Sequence, residues 1–194
     1  MTEKQYFLEN ATFLYDTREK DNFDILKAFA HEGLQTRRET FHTGDYGFEI
    51  DGKDYRNEWI AERKGSLNEI YGNIMAKNLD ADSDKRNNLE EELERMQGVK
   101  ERLLFIQGAA NMTEVRGWKN PRADKQGKRA GEHIYATLLS WGCANRYGFK
   151  TIFRKTQYEL GQEMIAHAYY YWRNDMREKH GKNFLKAIKA LGDK

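Results

Sequence analysis

Cysteine and proline are almost missing from this chain: Cys143 and Pro121 are the only ones among 194 residues. A single cysteine excludes an intramolecular disulfide framework and a cysteine-rich zinc site. Charge of one sign is also scarce in net terms. Lys and Arg exceed Asp and Glu by only +2, so any basic surface has to arise by segregation. No apolar run approaches the roughly 20 residues needed to span a bilayer. The opening MTEKQYFLEN lacks the apolar stretch of a signal peptide. A cytoplasmic protein with no membrane partner is the expectation. His31, His42, His133, His167 and His180 show no metal-ligand spacing, Cys143 reads as a small core residue, and the glycines of RKGSLNEIYG do not make a Walker-type loop.

What is present suits one domain of ordinary size, spanning 1–194 with a core of about 10–180 and a basic amphipathic tail over 181–194. NATFLYD reads as a buried strand and FDILKAFAHEG as a helix capped by Gly33. LQTRRETF and GDYGFEI are strands, DGKDYR is a turn, and NEWIAERK is the next strand. Helices follow in LNEIYGNIMAKN and DSDKRNNLEEELERMQG, the latter with N-cap candidates at Asp82–Asp84. ERLLFIQG is a central strand. The stretch from Ala109 to Lys128 has no clear period. GEHIYATLLSWGCANRYG reads as a helix, FKTIFR as a strand, and TQYELGQEMIAHAYYYWRNDMREKHG as a long helix. A meander followed by alternating strands and helices predicts a mixed α/β fold, with a central β-sheet flanked by helices.

Two carboxylates and a lysine occupy strand positions. Side chains alternate along a strand, so Ile60, Glu62 and Lys64 share one face and Ala61 and Arg63 the other, with Glu62 and Lys64 about 7 Å apart along the backbone. Asp45 begins the neighbouring strand and can approach Glu62. Neighbouring ionised carboxylates repel unless a cation lies between them. Mg²⁺ is a suitable cation, held by one or two carboxylates with water and substrate phosphate. A lysine beside it can orient or deprotonate a water, or stabilise phosphorane-like charge. Taken alone, an E-x-K strand triplet is more often a solvated charge pair.

FLYDTRE, TGDYGFEI and IAERKGSLNEIYGNI follow one another in this order. Together they resemble the XPF-type (ERCC4-like) structure-specific endonucleases of the PD-(D/E)XK superfamily, whose signature is a D-x-R-E strand end, a G-D-aromatic turn and an E-R-K triplet. The motifs cover Asn10 to about Gly108, and the order of elements extends to Asp175. The resemblance implies a PD-(D/E)XK restriction-endonuclease-like fold and a DNA endonuclease dependent on Mg²⁺ or Mn²⁺, acting at branched or single-strand/double-strand junctions in repair or recombination. Asp45 and Glu62 would hold the metal, Asp16 would add charge to its site, and Lys64 would be the catalytic lysine. Arg18 and Arg63 would support the site or contact phosphate, although strand alternation sends Arg63 away from Glu62. Glu19 would pair with one of these arginines. The family's acid four residues past the lysine is replaced by Asn68, and Glu69 takes the role if Gly65 is an extra residue. Gln107 stands where relatives often carry an acid.

The 194 residues have no room for the tandem helix-hairpin-helix module or helicase domain of many relatives, which suits a compact version from a bacteriophage or mobile element, acting in the host-cell cytoplasm. The alternative is a non-catalytic DNA-binding or scaffold protein that keeps the nuclease fold. Lys119, Arg122, Lys125, Lys128 and Arg129 form a basic loop that either contacts the DNA backbone or is simply solvated. The long helix carries two apolar stripes: Tyr158, Ile165, Tyr169, Trp172 and Met176, then Leu160, Met164 and Tyr171. A second face asks for its own cover, either a two-fold homodimer or the tail residues Phe184, Leu185, Ile188 and Leu191.

Overall fold

In the computed structural model residues 1–75 and 88–186 are described. The N-cap candidates Asp82–Asp84, the end of the helix expected over 67–78, and the tail residues Ile188 and Leu191 lie outside them. The strands are β1 (Ala11–Asp16), β2 (Gln35–Glu39), β3 (Tyr46–Ile50), β4 (Lys53–Asp54), β5 (Trp59–Lys64), β6 (Glu101–Gln107) and β7 (Lys150–Arg154). They form a seven-stranded sheet of order β2-β1-β3-β5-β6-β7, with β4 pairing on β3. The β1–β2, β5–β6 and β6–β7 pairs are parallel, while β1–β3 and β3–β5 are antiparallel.

The helices are α1 (Glu3–Asn10), α2 (Phe23–His31), α3 (Leu67–Met75), α4 (Asn88–Arg95), α5 (Met112–Gly117), α6 (Pro121–Lys125), α7 (Ala130–Gly142) and α8 (Gln157–His180). One face of the sheet packs against α1, α2 and α8; the other packs against α3, α4, α5 and α7. The alternation within β6 shows both layers, since Leu103 and Phe105 enter the first core and Leu104 and Ile106 the second. Gly161 lets α8 close on α2: a Cβ there would stand 2.8 Å from that of Ala28.

The structure departs from the sequence reading in several places, among them Cys143, expected in the core and found exposed. The first half is not a meander, because α2 carries the chain across from β1 to a parallel β2. The opening segment, given no element from the sequence, is α1, with a capping box between Thr2 and Gln5. The basic loop contains a helical turn, α6, started by Pro121 and capped by Asn120. Finally, both apolar stripes of α8 are covered within the chain. Leu160, Met164, Ile165, Ala168 and Trp172 are buried. Tyr6 of α1 stacks on Trp172 at 6.0 Å between ring centres, and Phe184 meets the same indole edge-on at 5.3 Å. Among the described residues, the tail alternative holds for Phe184 and Leu185, which pack into this core. Tyr170, 55% exposed, is the large apolar residue of α8 left to solvent.

Candidate active site

β5 sets the site. Trp59 and Ala61 point into the α8 layer and Ile60 into the α3/α4 layer, so Glu62 and Lys64 continue the face of Ile60. Both are buried, at 5% and 3% exposure. The Lys64 Nζ lies 2.8 Å from Glu62 Oε1, which settles which face the triplet uses. Gly44 delivers Asp45 to the same place. Its φ of 70° is strained for other residues, and a Cβ would stand 2.4 Å from Ile60 Cγ1. The Asp45 N–H donates to Ala61 O at 2.8 Å, and Asp45 Oδ2 accepts the Arg63 N–H at 2.8 Å.

Arg18, Glu19, Asp45, Glu62, Arg63, Lys64 and Glu69 line a cleft of about 230 Å³. Asp16 does not. It is fully buried at the end of β1 and accepts four hydrogen bonds, from the Phe41 N–H and from the N–H, Nε and one Nη of Arg18. Against expectation it offers no oxygen to the cleft; it anchors Arg18, whose guanidinium feels the charges of Asp45 and Glu62. Arg63 leaves β5 on the face opposite Glu62, as alternation requires, yet still borders the cleft, where its Nε donates to Glu19 Oε2 at 3.0 Å beside the Tyr46 hydroxyl. Glu19 thus pairs with an arginine. Asn68 turns away to accept from Asn120 Nδ2 at 3.0 Å, whereas Glu69 faces the cleft. Glu69 Oε2 accepts the Gly65 N–H and its other oxygen lies 3.9 Å from Lys64 Nζ.

Sequence reasoning missed two residues of α4, Glu92 and Arg95. Lys64 Nζ donates to Glu92 Oε2 at 2.6 Å, and Arg95 lines the cleft without an ion pair among the described residues. The signal was faint: Leu89, Leu93 and Met96 mark the buried stripe of α4, but nothing separates Glu92 from Glu90, Glu91 or Glu94.

The electrostatics are those of crowded acids. Burial first, then the neighbouring Glu19, pushes Asp45 up to about 7. Burial, then Asp45, holds Glu62 well above the usual carboxylate range. Burial alone would lower the Lys64 ammonium, but Glu62 and Glu92 outweigh it and hold Lys64 above the ordinary lysine range. Among the described residues no group of three or more His, Cys, Asp or Glu side chains is arranged to hold a metal ion. Asp45 and Glu62 are a two-carboxylate donor set, and hard oxygen donors crowded to this degree fit a divalent cation completed by water and phosphate.

Lys119, Arg122, Lys125, Lys128 and Arg129 are all exposed. Arg129 pairs with Glu132 at 3.2 Å. The Asn68–Asn120 hydrogen bond ties the start of α6 to the helix that carries Glu69.

A seven-stranded mixed sheet with helices on both faces, and acids and a lysine at the end of β5, is a PD-(D/E)XK-like fold. Two solved structures share it. XPF from Aeropyrum pernix is 15% identical with a TM-score of 0.59 over 86% of this chain and 69% of that one. XPF from the same organism in complex with DNA is 15% identical with a TM-score of 0.54 over 94% and 80% of the two chains. The chain therefore has the XPF-type nuclease fold. No family model and no curated protein matches it.

Proposed function

We propose that this protein is a divalent-metal-dependent DNA endonuclease, acting at branched or single-strand/double-strand junctions. The observation that carries the reading is the convergence of Asp45, Glu62 and Lys64 on one cleft of an XPF-type fold. Asp45 and Glu62 would hold Mg²⁺ or Mn²⁺, which when bound would polarise the scissile phosphate and acidify a water.

The chain's own groups do the rest. Lys64, fixed by Glu62 and Glu92 and kept protonated, is suited to stabilising charge on the phosphate rather than to accepting a proton. Arg18, held by Asp16 through two guanidinium hydrogen bonds at the lining of the cleft, supplies a second cation for phosphate. The basic stretch around α6 is positioned for the flanking backbone through its tie to α3. The homodimer expected from the resemblance is proposed to use the exposed side of α8 around Tyr170.

The test is cleavage of labelled duplex, flap, fork and four-way-junction DNA with Mg²⁺ or Mn²⁺, against Asp45→Asn. Cutting by the wild type alone supports the nuclease. DNA binding without cutting under any condition favours the scaffold alternative.

A further inference from the structure

A second cavity of about 640 Å³ adjoins the catalytic cleft, and Thr43 and Arg95 line both. Its size falls within the range of small-molecule sites. Phe41, Ile60 and Val99 give it an apolar floor, and Asn57 and Gln97 supply amide groups. The Arg56 guanidinium carbon lies over the Phe41 ring, 5.0 Å from its centroid, so this ring already receives a cation. The Thr43 hydroxyl oxygen is buried without a hydrogen-bond partner. Arg95, at the boundary, makes no ion pair among the described residues. Apolar side chains, amide groups and a cation at the mouth are the elements that recognise a nucleotide: a surface for the base, hydrogen-bonding groups for its edge and a charge for its phosphate.

We infer that this cavity receives the nucleotide next to the scissile phosphate, with Arg95 holding the phosphate between the two chambers. The inference rests on the nuclease reading and deepens it. A base can enter such a cavity only out of the stack, and the unstacking cost is least where the strand is already single. The cavity thus gives the chain a physical reason to cut beside single-stranded DNA.

The experiment uses the full chain and a forked DNA carrying one abasic residue, moved across the three positions on either side of the cut. At one position, loss of the base should slow wild-type cleavage by about tenfold, the scale of one base-stacking contact. Asn57→Trp, at an exposed position on the cavity rim, should fill the space and cut abasic and intact DNA at equal rates; Gln97→Trp gives an independent filling variant. A uniform response to the abasic residue at every position, or a wild-type pattern in both filled variants, would overturn the inference. A binding arm with 2-aminopurine at the same positions and Asp45→Asn separates this from failure of the nuclease reading. If nothing is cut, a fluorescence rise at one position that vanishes on adding Asn57→Trp keeps the nucleotide site, and no rise at any position removes it.

Discussion

Lys64 Nζ stands 2.6 Å from Glu92 Oε2, a carboxylate 28 positions away on α4, while its other strong contact is Glu62 on its own strand. The ammonium is thus the only cation in direct contact with both acids among the described residues. Removing it leaves Glu62 and Glu92 facing each other in a buried place. Lys64→Ala should therefore cost about 3–5 kcal/mol of stability as well as abolishing cleavage. Adding Glu92→Gln should recover part of the stability and none of the cleavage. Denaturant unfolding of both variants checks this, and a Lys64→Ala protein as stable as the wild type would contradict the buried pair.

Asp45 is under the opposite stress, a carboxylate crowded by other acids. Asp45→Asn removes repulsion, so the metal-free variant should be at least as stable as the wild type. Wild-type melting temperature should rise with Mg²⁺ or Mn²⁺, and that rise should be largely lost in the variant together with cleavage. An equal thermal response in both proteins would place the cation elsewhere.

Asp16 contributes to stability through its hydrogen bonds. Burial works to raise its pKa, but the bonds from Arg18 and the Phe41 N–H outweigh it and hold the carboxyl below its usual range. A depressed folded pKa gives stability that is complete above the unfolded value of about 3.9 and is lost as pH falls through the lower folded value. Asp16→Asn should cost about 2 kcal/mol at pH 7. The gap between variant and wild type should narrow below pH 4, as read from paired urea titrations.

The basic stretch should act through phosphates. Neutralising Lys125, Lys128 and Arg129 together should weaken DNA binding and flatten its log–log salt dependence by up to about three contacts, at roughly 0.9 per contact. The pairing of Arg129 with Glu132 argues for a value nearer two. Fluorescence anisotropy over a salt series measures it; an unchanged slope would return these residues to solvent.

On α8, Trp172→Glu should unfold the protein, since this fully buried ring touches both α1 and Phe184. Its removal alone is worth about 3–5 kcal/mol. Tyr170→Glu should leave the fold intact. Light scattering on Tyr170→Glu and the wild type reports whether any dimer uses that exposed side.

The strand positions of Glu62, Lys64 and Arg63 were settled by the sequence itself, because alternation is a local property of extended backbone. Gly44 before Asp45 is different: a Cβ there would meet Ile60, sixteen positions on, so the need for glycine is set by the fold. The choice between Asn68 and Glu69 stayed open in the sequence; the structure turns Asn68 to Asn120 and faces Glu69 to the cleft. Only the tertiary structure decided which element would arrive at each face. Glu92 and Arg95 reach the cleft because α4 packs over β5. Tyr6 covers Trp172 because α1 docks on α8, and Asp16 turns inward because the Phe41 N–H meets it there. Periodicity fixes the side of its own helix or strand on which a residue stands. It carries no information about the partner packed against that side, since that choice depends on the volumes and charges of distant segments meeting in one core.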